Sequence, residues 1–377
     1  MENFSRKNSE RYNRQILLND IGESGQQKLE AASVLVIGAG GLGVPVLQYL
    51  TAAGVGKIGI VDGDAIELSN LQRQVLYEES EIGNLKSEVA RKKLSGLNSE
   101  IEIISYPEFF SSENAIEIFS GYEIIVDGSD NFPARYLVND ACVKLDKPFV
   151  SGAIFKFTGQ VGVFNYNNSG TYRCLFPQPP KPEERPDCNE VGVLGVVPGL
   201  IGMMMANEVI KMICGIGEVL SGKILNVDIL TNKFQTLSFK RDMEAVDEIK
   251  SSPLFSADDY ETFCRGTSSA DAVKEITAEE LKKIFSNGSD IQLIDVREPF
   301  EHEEENIGGE LIPFEEVMSQ AEKISKDKQV VFYCKVGIRS HIIIQRLQEK
   351  FGMENLYNLR GGINSFIPSY QSHRRDS

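Results

Sequence analysis

The sequence predicts an α/β protein in two parts. A mostly parallel sheet with covering helices occupies residues 1–240, and a smaller α/β unit occupies 274–377, with 241–273 as a linker. Three observations carry this prediction. Apolar, strand-like runs alternate with helical patterns through 33–154. Strands separated by helices return by crossovers and pair in parallel. A glycine-rich turn, GAGGLG (38–43), sits between the first such run and the first such helix. After an acidic, irregular stretch at about 240–271, the alternation begins again. The length of 377 residues agrees with two or three domains, at roughly 150 residues each.

The elements follow in order. The N-terminal MENFSRKNSERYNRQ is polar and charged, which is not the pattern of a signal peptide. SVLVIG and KIGIVDGD read as strands flanking the glycine turn and its helix, and EIIVDGSDN (123–131) and KPFVSGAI (147–154) as later strands. PQPPKPEERP (177–186) holds five prolines and four charges and is expected as an extended, exposed loop. The most apolar stretch, 191–206, has 16 residues and is closed by Asn207, Glu208 and Lys211. It is shorter than the ~20 residues of a spanning helix and reads as a core helix with a glycine-rich lead-in. In the second part ITAEELKKIF and HIIIQRLQEK read as helices, and IQLIDVRE and QVVFYC as strands.

Composition narrows the function. Acidic residues outnumber basic ones 55 to 39, for a net charge of −16. Such a chain is repelled by phosphate backbones and anionic lipid, so neither nucleic acid nor membrane is expected as a partner. Three histidines leave little for histidine-based catalysis or metal binding. The six cysteines, Cys142, Cys174, Cys188, Cys214, Cys264 and Cys334, include no C-x-x-C pair. That usage suits a reducing, cytoplasmic compartment, where an exposed thiol serves by its reactivity. Cys142 and Cys214 lie in apolar helical patterns and are expected in the core.

Gly38, Gly40 and Gly41 open the way for a backbone to approach phosphates at a helix N-terminus. Asp62 ends the next strand about 20 residues on, the place of a ribose-binding acid, and Asp64 follows it. By itself this fits a nicotinamide or flavin dehydrogenase as well as an ATP enzyme. The companions decide between them: ERYNRQ (10–15), DGDAIELSNLQRQ (62–74), Lys86 and DGSDNFPAR (127–135). Together they supply Arg14, Arg73, Lys86, Asp130, Asn70 and Asn131. Hydride transfer needs no such set. Reaction at a triphosphate does, since cations neutralise charge on phosphoryl oxygens and a strand-end aspartate holds Mg²⁺.

With these motifs, residues ~8–240 closely resemble the MoeB/ThiF family of adenylyltransferases, relatives of ubiquitin-activating enzymes. The resemblance implies a Rossmann-like sheet and a homodimer that binds ATP and Mg²⁺. It implies a ubiquitin-like sulfur carrier ending in Gly-Gly, whose terminal carboxylate attacks the α-phosphate to give an acyl-adenylate and pyrophosphate. Gly41, Asp62, Ser69, Asn70, Leu71, Gln72, Arg73, Lys86, Asp130 and Asn131 are then expected along the nucleotide, and Arg14 at the partner subunit's phosphates. The family's crossover-loop cysteine falls on Cys188, in RPDCNEVG. Arg185 would lower its pKa, and Asp187 and Glu190 would oppose that. The family's structural zinc, held by two C-x-x-C pairs, is not expected: position 171 is Thr, only Cys174 remains of the first pair, and 240–249 has no cysteine.

Cys334 ends the strand-like QVVFYC and opens KVGIRS, which leads into a helix. Backbone N–H groups at a helix start, with Lys335 and Arg339, make a cradle for a thiolate or persulfide. Gly337 gives the turn and Ser340 completes the loop. Four residues separate Cys334 from Arg339, one fewer than in a phosphatase-type loop, so phosphate is not the expected ligand. IQLIDVREPFEHEEENIGGELIPFEEV and LYNLRGGINSF extend the pattern, and ~275–370 resembles the rhodanese homology domain, with NIGG (306–309) in place of its usual G-H-I-P-G. That resemblance implies that Cys334 carries sulfur from a donor such as a cysteine desulfurase. Its persulfide would attack the acyl-adenylate, and a second thiol, Cys188, would release the carrier thiocarboxylate. The alternatives are an adenylylating enzyme for another carboxylate (a tRNA-modification group or a peptide), a dehydrogenase, and a non-catalytic carrier-docking scaffold.

Overall fold

The structure, a computed structural model, describes residues 6–179, 192–254, 260, 273–288, 290–335 and 337–367. The chain forms two compact units, the first holding the described residues as far as Lys250 with Leu254 and Tyr260, and the second Ser251–Pro253 and those from Val273.

In the first unit, α1 (Arg6–Ile16) and α2 (Gly22–Ala31) precede β1 (Ser33–Ile37), α3 (Gly43–Ala53), β2 (Lys57–Val61), α4 (Lys86–Leu97) and β3 (Glu102–Tyr106). Then come α5 (Ser112–Ser120), β4 (Ile124–Asp127), α6 (Phe132–Lys144), β5 (Phe149–Phe155), β6 (Thr158–Phe164), α7 (Tyr172–Leu175), α8 (Val196–Cys214), β7 (Lys223–Asp228), β8 (Lys233–Ser238) and α9 (Met243–Ser251). The eight strands form one sheet in the order β3-β2-β1-β4-β5-β6-β7-β8. The strands from β3 to β5 are parallel, and β6, β7 and β8 continue antiparallel. On β1, Val36 pairs with Ile60 of β2 on one side and Val126 of β4 on the other. A central parallel strand is covered on both faces, which is why SVLVI is an apolar run rather than an alternation. The strand order reverses between β1 and β4, so the crevice at their carboxyl ends is where such a sheet receives a ligand.

Two elements refine the sequence reading. α8 starts at Val196 and runs to Cys214, and by length and composition alone it is apolar enough to cross a membrane. It packs instead on α2, α3, β5 and β6, as a core helix. α9 lies within the stretch expected as irregular linker. Its Val246 and Ile249 pack with Val143 of α6 and with Cys174, so the acidic composition there concealed an amphipathic turn pattern.

The second unit contains β9 (Lys274–Ile276), α10 (Ala278–Ser286), β10 (Ile291–Asp295), α11 (Pro299–Glu304), β11 (Glu310–Leu311), α12 (Phe314–Val317), β12 (Gln329–Tyr333), α13 (Ile338–Phe351), β13 (Leu356–Leu359) and α14 (Gly362–Phe366). Thr277 caps α10 in a reciprocal box with Glu280, the sequence signature of a helix start. The five strands are parallel, in the order β11-β10-β12-β13-β9. Leu281, Leu293, Val331, Leu359 and Ile363 form the core. β12 is central, and its carboxyl end presents Cys334.

Candidate active sites

The nucleotide crevice is built where β1, β2 and β4 end. The chain leaves β1, turns through Gly38–Leu42 and enters α3 at Gly43. A Cβ on Gly43 would overlap the carbonyl oxygen of Gly38, so the turn can close this tightly only with glycine there. Gly41 faces the Pro198 ring and the stem of Arg73. Asp62 holds the turn from the next strand: Oδ2 accepts from the Ala39 N–H at 2.7 Å and Oδ1 from the Asp64 N–H at 2.8 Å. Burial pushes the Asp62 carboxyl above its ordinary range, and these two N–H groups only partly offset that. Lys86, the first residue of α4, is buried, and its Nζ lies 2.9 Å from Asp64 Oδ2. A cation at a helix N-terminus opposes the helix dipole, and Asp64 supplies the compensating charge.

Residues 69–73 form a single tight turn. Asn70 accepts from the Glu67 N–H at 3.2 Å and donates to Ser69 Oγ at 3.3 Å, while Arg73 Nη1 donates to the Ser69 carbonyl at 3.0 Å. Leu71 packs against the core, and Gly195 lies against the Gln72 backbone. Asp130 and Asn131 are exposed at the start of α6, where Asn131 Oδ1 caps the helix by accepting from the Ala134 N–H at 2.9 Å. Arg14 is exposed on α1, a helix anchored by Tyr12, whose hydroxyl meets Asn98 Nδ2 at 2.8 Å, and by Arg11, which donates to the Leu97 carbonyl at 3.0 Å. The structure thus joins the glycine turn, Asp62, Asp64 and Lys86 by direct contacts and leaves Arg14 facing solvent.

Two residues of this crevice escaped the sequence reading. Asp127 is fully buried and accepts from the Ser129 N–H at 3.1 Å, the Ser129 hydroxyl at 2.6 Å and the Ser151 hydroxyl at 2.7 Å. It shapes the turn that presents Asp130. Gln74 is buried beside Gly40, with its Oε1 lacking a hydrogen bond among the described residues. Its place at the end of the SNLQRQ run was the available signal.

The sulfur loop follows β12. Cys334 is fully buried, and its Sγ accepts from the Gly337 N–H at 3.1 Å, with Ser340 Oγ at 3.5 Å. The Ser340 hydroxyl donates to Asn358 Oδ1 at 2.7 Å. From below, the Cys334 carbonyl accepts from the Ile363 N–H at 2.8 Å and the Lys335 carbonyl from the Asn364 N–H at 3.2 Å. A Cβ on Gly362 would overlap both of those carbonyls. Lys335 is half-buried. Arg339, expected to add positive charge to the cradle, is itself buried, and its fork meets both oxygens of Glu301 at 2.8 Å. Burial raises the Glu301 carboxyl, but Arg339 outweighs that and holds it below the usual carboxylate range. Glu301 and Asn358 had no signal in the loop motif, because they come from α11 and β13.

Comparison with known families now settles the class. The description "ThiF family" matches residues 12–246. The chain belongs to the ThiF family. A second description, "Rhodanese-like domain", matches residues 277–368. Among curated relatives, "Probable adenylyltransferase/sulfurtransferase MoeZ" of Mycobacterium tuberculosis is 40% identical over 98% of this chain and 95% of that protein. "Sulfur carrier protein adenylyltransferase" of Thermus thermophilus is 48% identical over 69% of this chain and 98% of its own length. Among solved structures, E. coli MccB with ATP superposes with a TM-score of 0.53 at 25% identity, covering 62% of this chain and 71% of that one. The expected α/β architecture and enzyme class therefore stand, and membership of an adenylyltransferase family implies use of ATP.

The family's zinc site can be tested on the donors present. Cys174 Sγ accepts from the Asp242 N–H at 3.2 Å and lies 3.2 Å from the Thr171 hydroxyl. One thiol, one hydroxyl and a backbone amide do not fit the four thiolates of a closed tetrahedral site. Among the described residues, no group of three or more His, Cys, Asp or Glu is arranged to hold a metal. Cys142 and Cys214 are buried, as expected, and burial raises both thiols above the ordinary range. Cys188, with Arg185, Asp187 and Glu190, lies outside the described residues.

Proposed function

We propose that the chain adenylylates the C-terminal glycine of a ubiquitin-like sulfur carrier with ATP, and then delivers sulfur from a Cys334 persulfide to give the carrier thiocarboxylate. The reading divides the labour between residues 1–240 and 274–377, with 241–273 connecting them. The observation that carries it is the presence, on one chain, of a strand-end crevice with Asp62 held by two backbone amides and of a cysteine whose sulfur already accepts a backbone N–H. The names of the MoeZ and Thermus relatives support both halves.

A carboxylate is a poor electrophile, and transfer of AMP to it supplies a leaving group. In this reading Asp62 takes the ribose, and Arg73 and Lys86 meet the phosphates, Lys86 by exchanging Asp64 for phosphate oxygen. Asp130 would hold Mg²⁺, which would neutralise charge building on the phosphates. The Cys334 persulfide then displaces AMP to form an acyl disulfide; the Cys188 thiolate attacks the Cys334 Sγ of that disulfide, expelling the thiocarboxylate and leaving a Cys188–Cys334 disulfide that an external thiol reduces. Structural zinc is absent in this reading, a cysteine desulfurase is the sulfur donor, and the compartment is the reducing cytoplasm.

The protein acts as a homodimer in which Arg14 serves the other subunit's site. Mixing Arg14→Ala with Arg73→Ala chains should then restore exchange activity, since each mixed dimer keeps one intact site. No recovery despite demonstrated subunit exchange counts against that arrangement. For the function as a whole, the test is carrier-dependent ATP–pyrophosphate exchange followed by intact mass of the carrier with a sulfur donor. A carrier that never exchanges oxygen for sulfur at its terminus would overturn the second half.

A further inference from the structure

Glu301 touches the sulfur loop without belonging to it. It is the third residue of α11, a six-residue helix between β10 and β11. Its carboxylate has two tasks. Oε2 accepts from the Glu298 N–H at 3.0 Å, which closes the capping box of its own helix, and both oxygens take the Arg339 fork at 2.8 Å. The next residue grips the other side: His302 Nδ1 lies 2.8 Å from Asp295 Oδ2 at the end of β10. Asp295 is in turn held by Arg297 Nη2 at 2.6 Å, and Arg297 Nη2 also donates to the Glu305 carbonyl at 2.7 Å. α11 is therefore pinned to β10 and to α13 by successive side chains.

That placement matters for the chemistry. Arg339 lies in the first turn of α13, and Gly337 immediately precedes that helix. The orientation of that turn decides whether the Gly337 N–H points at Sγ. The pair is out of water, with Arg339 1% exposed and Glu301 7%, so its geometry is not averaged by solvent. The pair is also neutral as a whole, so it adds no net positive charge beneath the sulfur.

We propose that Glu301 is a positioning residue for sulfur transfer at Cys334. By pairing with Arg339 it fixes the first turn of α13 so that the Gly337 N–H and the Ser340 hydroxyl meet Sγ. It also cancels the Arg339 charge, so that the sulfur anion is stabilised by that N–H, the Ser340 hydroxyl and Lys335. The inference rests on the reading of Cys334 as a sulfur carrier.

The test uses the full-length protein as wild type, Glu301→Gln and Arg339→Lys, with thiosulfate as donor and cyanide as acceptor. The Cys334 thiolate attacks the outer sulfur of thiosulfate, and sulfite leaves with the electron pair of the S–S bond. Cyanide then takes the outer sulfur as thiocyanate and returns the thiolate. Glu301→Gln should lower kcat by about tenfold to about a hundredfold, the range for a reacting group displaced by a fraction of an ångström to 1 Å. The KM for thiosulfate should change by less than about threefold, because the group that meets the donor is not the one altered. The midpoint pH for alkylation of Cys334 by iodoacetamide should move down, since a buried guanidinium is then left uncompensated near the thiol. A purely structural loosening would move it up, towards an ordinary thiol.

Wild-type kcat in Glu301→Gln, or an alkylation midpoint that stays or rises, overturns the proposal. If Glu301→Gln fails to fold, Arg339→Lys decides: it keeps the charge and loses the fork, and wild-type kcat in that variant overturns the proposal equally. A wild-type protein with no cyanide-labile sulfur on Cys334 removes the sulfur-carrier reading itself, and this inference with it. The three failures are therefore distinguishable.

Discussion

Both candidate sites stand at the same kind of place, the carboxyl end of a central parallel strand running into a helix, yet they treat charge in opposite ways. After β1 the loop is glycine-rich, and the cations beside it have single ties that a ligand can replace. Arg73 gives one hydrogen bond to the Ser69 carbonyl, and Lys86 is paired with Asp64, which is itself 55% exposed; Arg14 stands exposed on α1. After β12 the loop carries a cysteine, and the arginine beside it is buried and paired with Glu301 through both of its terminal nitrogens. Under the proposed function, the difference follows from what each site would hold. A triphosphate arrives from water with several charges, and uncommitted cations can still gain by meeting it. A persulfide is made on the protein's own sulfur and carries one charge, so a rigid loop with an aligned N–H and a hydroxyl suffices, and a free arginine would bind other anions.

Separating the two sites by mutation gives the largest effects. Cys334→Ala should reduce thiosulfate:cyanide sulfur transfer to background while ATP–pyrophosphate exchange stays near wild type. Sulfur transfer that survives this change would return the loop to an ordinary strand end. Cys188→Ala should keep both partial reactions and lose carrier thiocarboxylate, read by intact mass. Next in size, Arg73→Ala or Asp130→Ala should lower exchange by about a hundredfold to about a thousandfold, the cost of one strong transition-state charge contact. Sulfur transfer should be unchanged in both variants. Near-normal exchange in both would break the assignment of the β1–β4 crevice.

The smallest effect sharpens the contrast through pH. Asp295 and Glu301 are buried, which raises their carboxyls, but their arginine partners outweigh this and leave both below the ordinary range. The folded second unit thus holds these protons less tightly than the unfolded chain. Its stability is fully present above the unfolded carboxylate range, about 4, and declines as pH falls through the depressed values. Asp62 has the opposite sign: raised by burial, it favours the protonated form when folded. Its contribution improves as pH falls through that raised value. Urea titrations read by fragment-resolved proteolysis at about pH 3.5 and about pH 6 should show the second unit losing more than the first. Equal losses would remove the contrast.

Much of this was open to reading in the chain. Where residues are constrained by local geometry, the pattern is in the sequence: SVLVI, KIGIV and QVVFY are strands because fully covered parallel strands must be apolar throughout. GAGGLG is glycine because Gly43 has no room for a Cβ, and Thr277 with Glu280 marks a helix start. The candidate residues of both sites lie in such contiguous motifs, so Asp62, Lys86, Asp130 and Cys334 were legible by spacing. α9 was hidden because two apolar residues, Val246 and Ile249, are a weak signal in an acidic stretch, and only packing against Val143 gives them meaning.

What the tertiary structure alone decided is which charges remain free. Arg339 and Glu301 are 38 positions apart and meet at 2.8 Å, and Ser340 and Asn358 are 18 apart and meet at 2.7 Å. A motif names the residue that bears a charge, but whether the charge faces a ligand or a carboxylate from another element depends on how the strands are ordered. β10 and β12 are neighbours in a sheet whose order is not the chain order, and this brings α11 to the sulfur loop. Sequence by itself determined the fold class, the two kinds of chemistry and the motifs that supply their candidate residues. That Arg339 is committed to a carboxylate emerged only when burial removed water as an alternative partner and left Glu301 as its counterion.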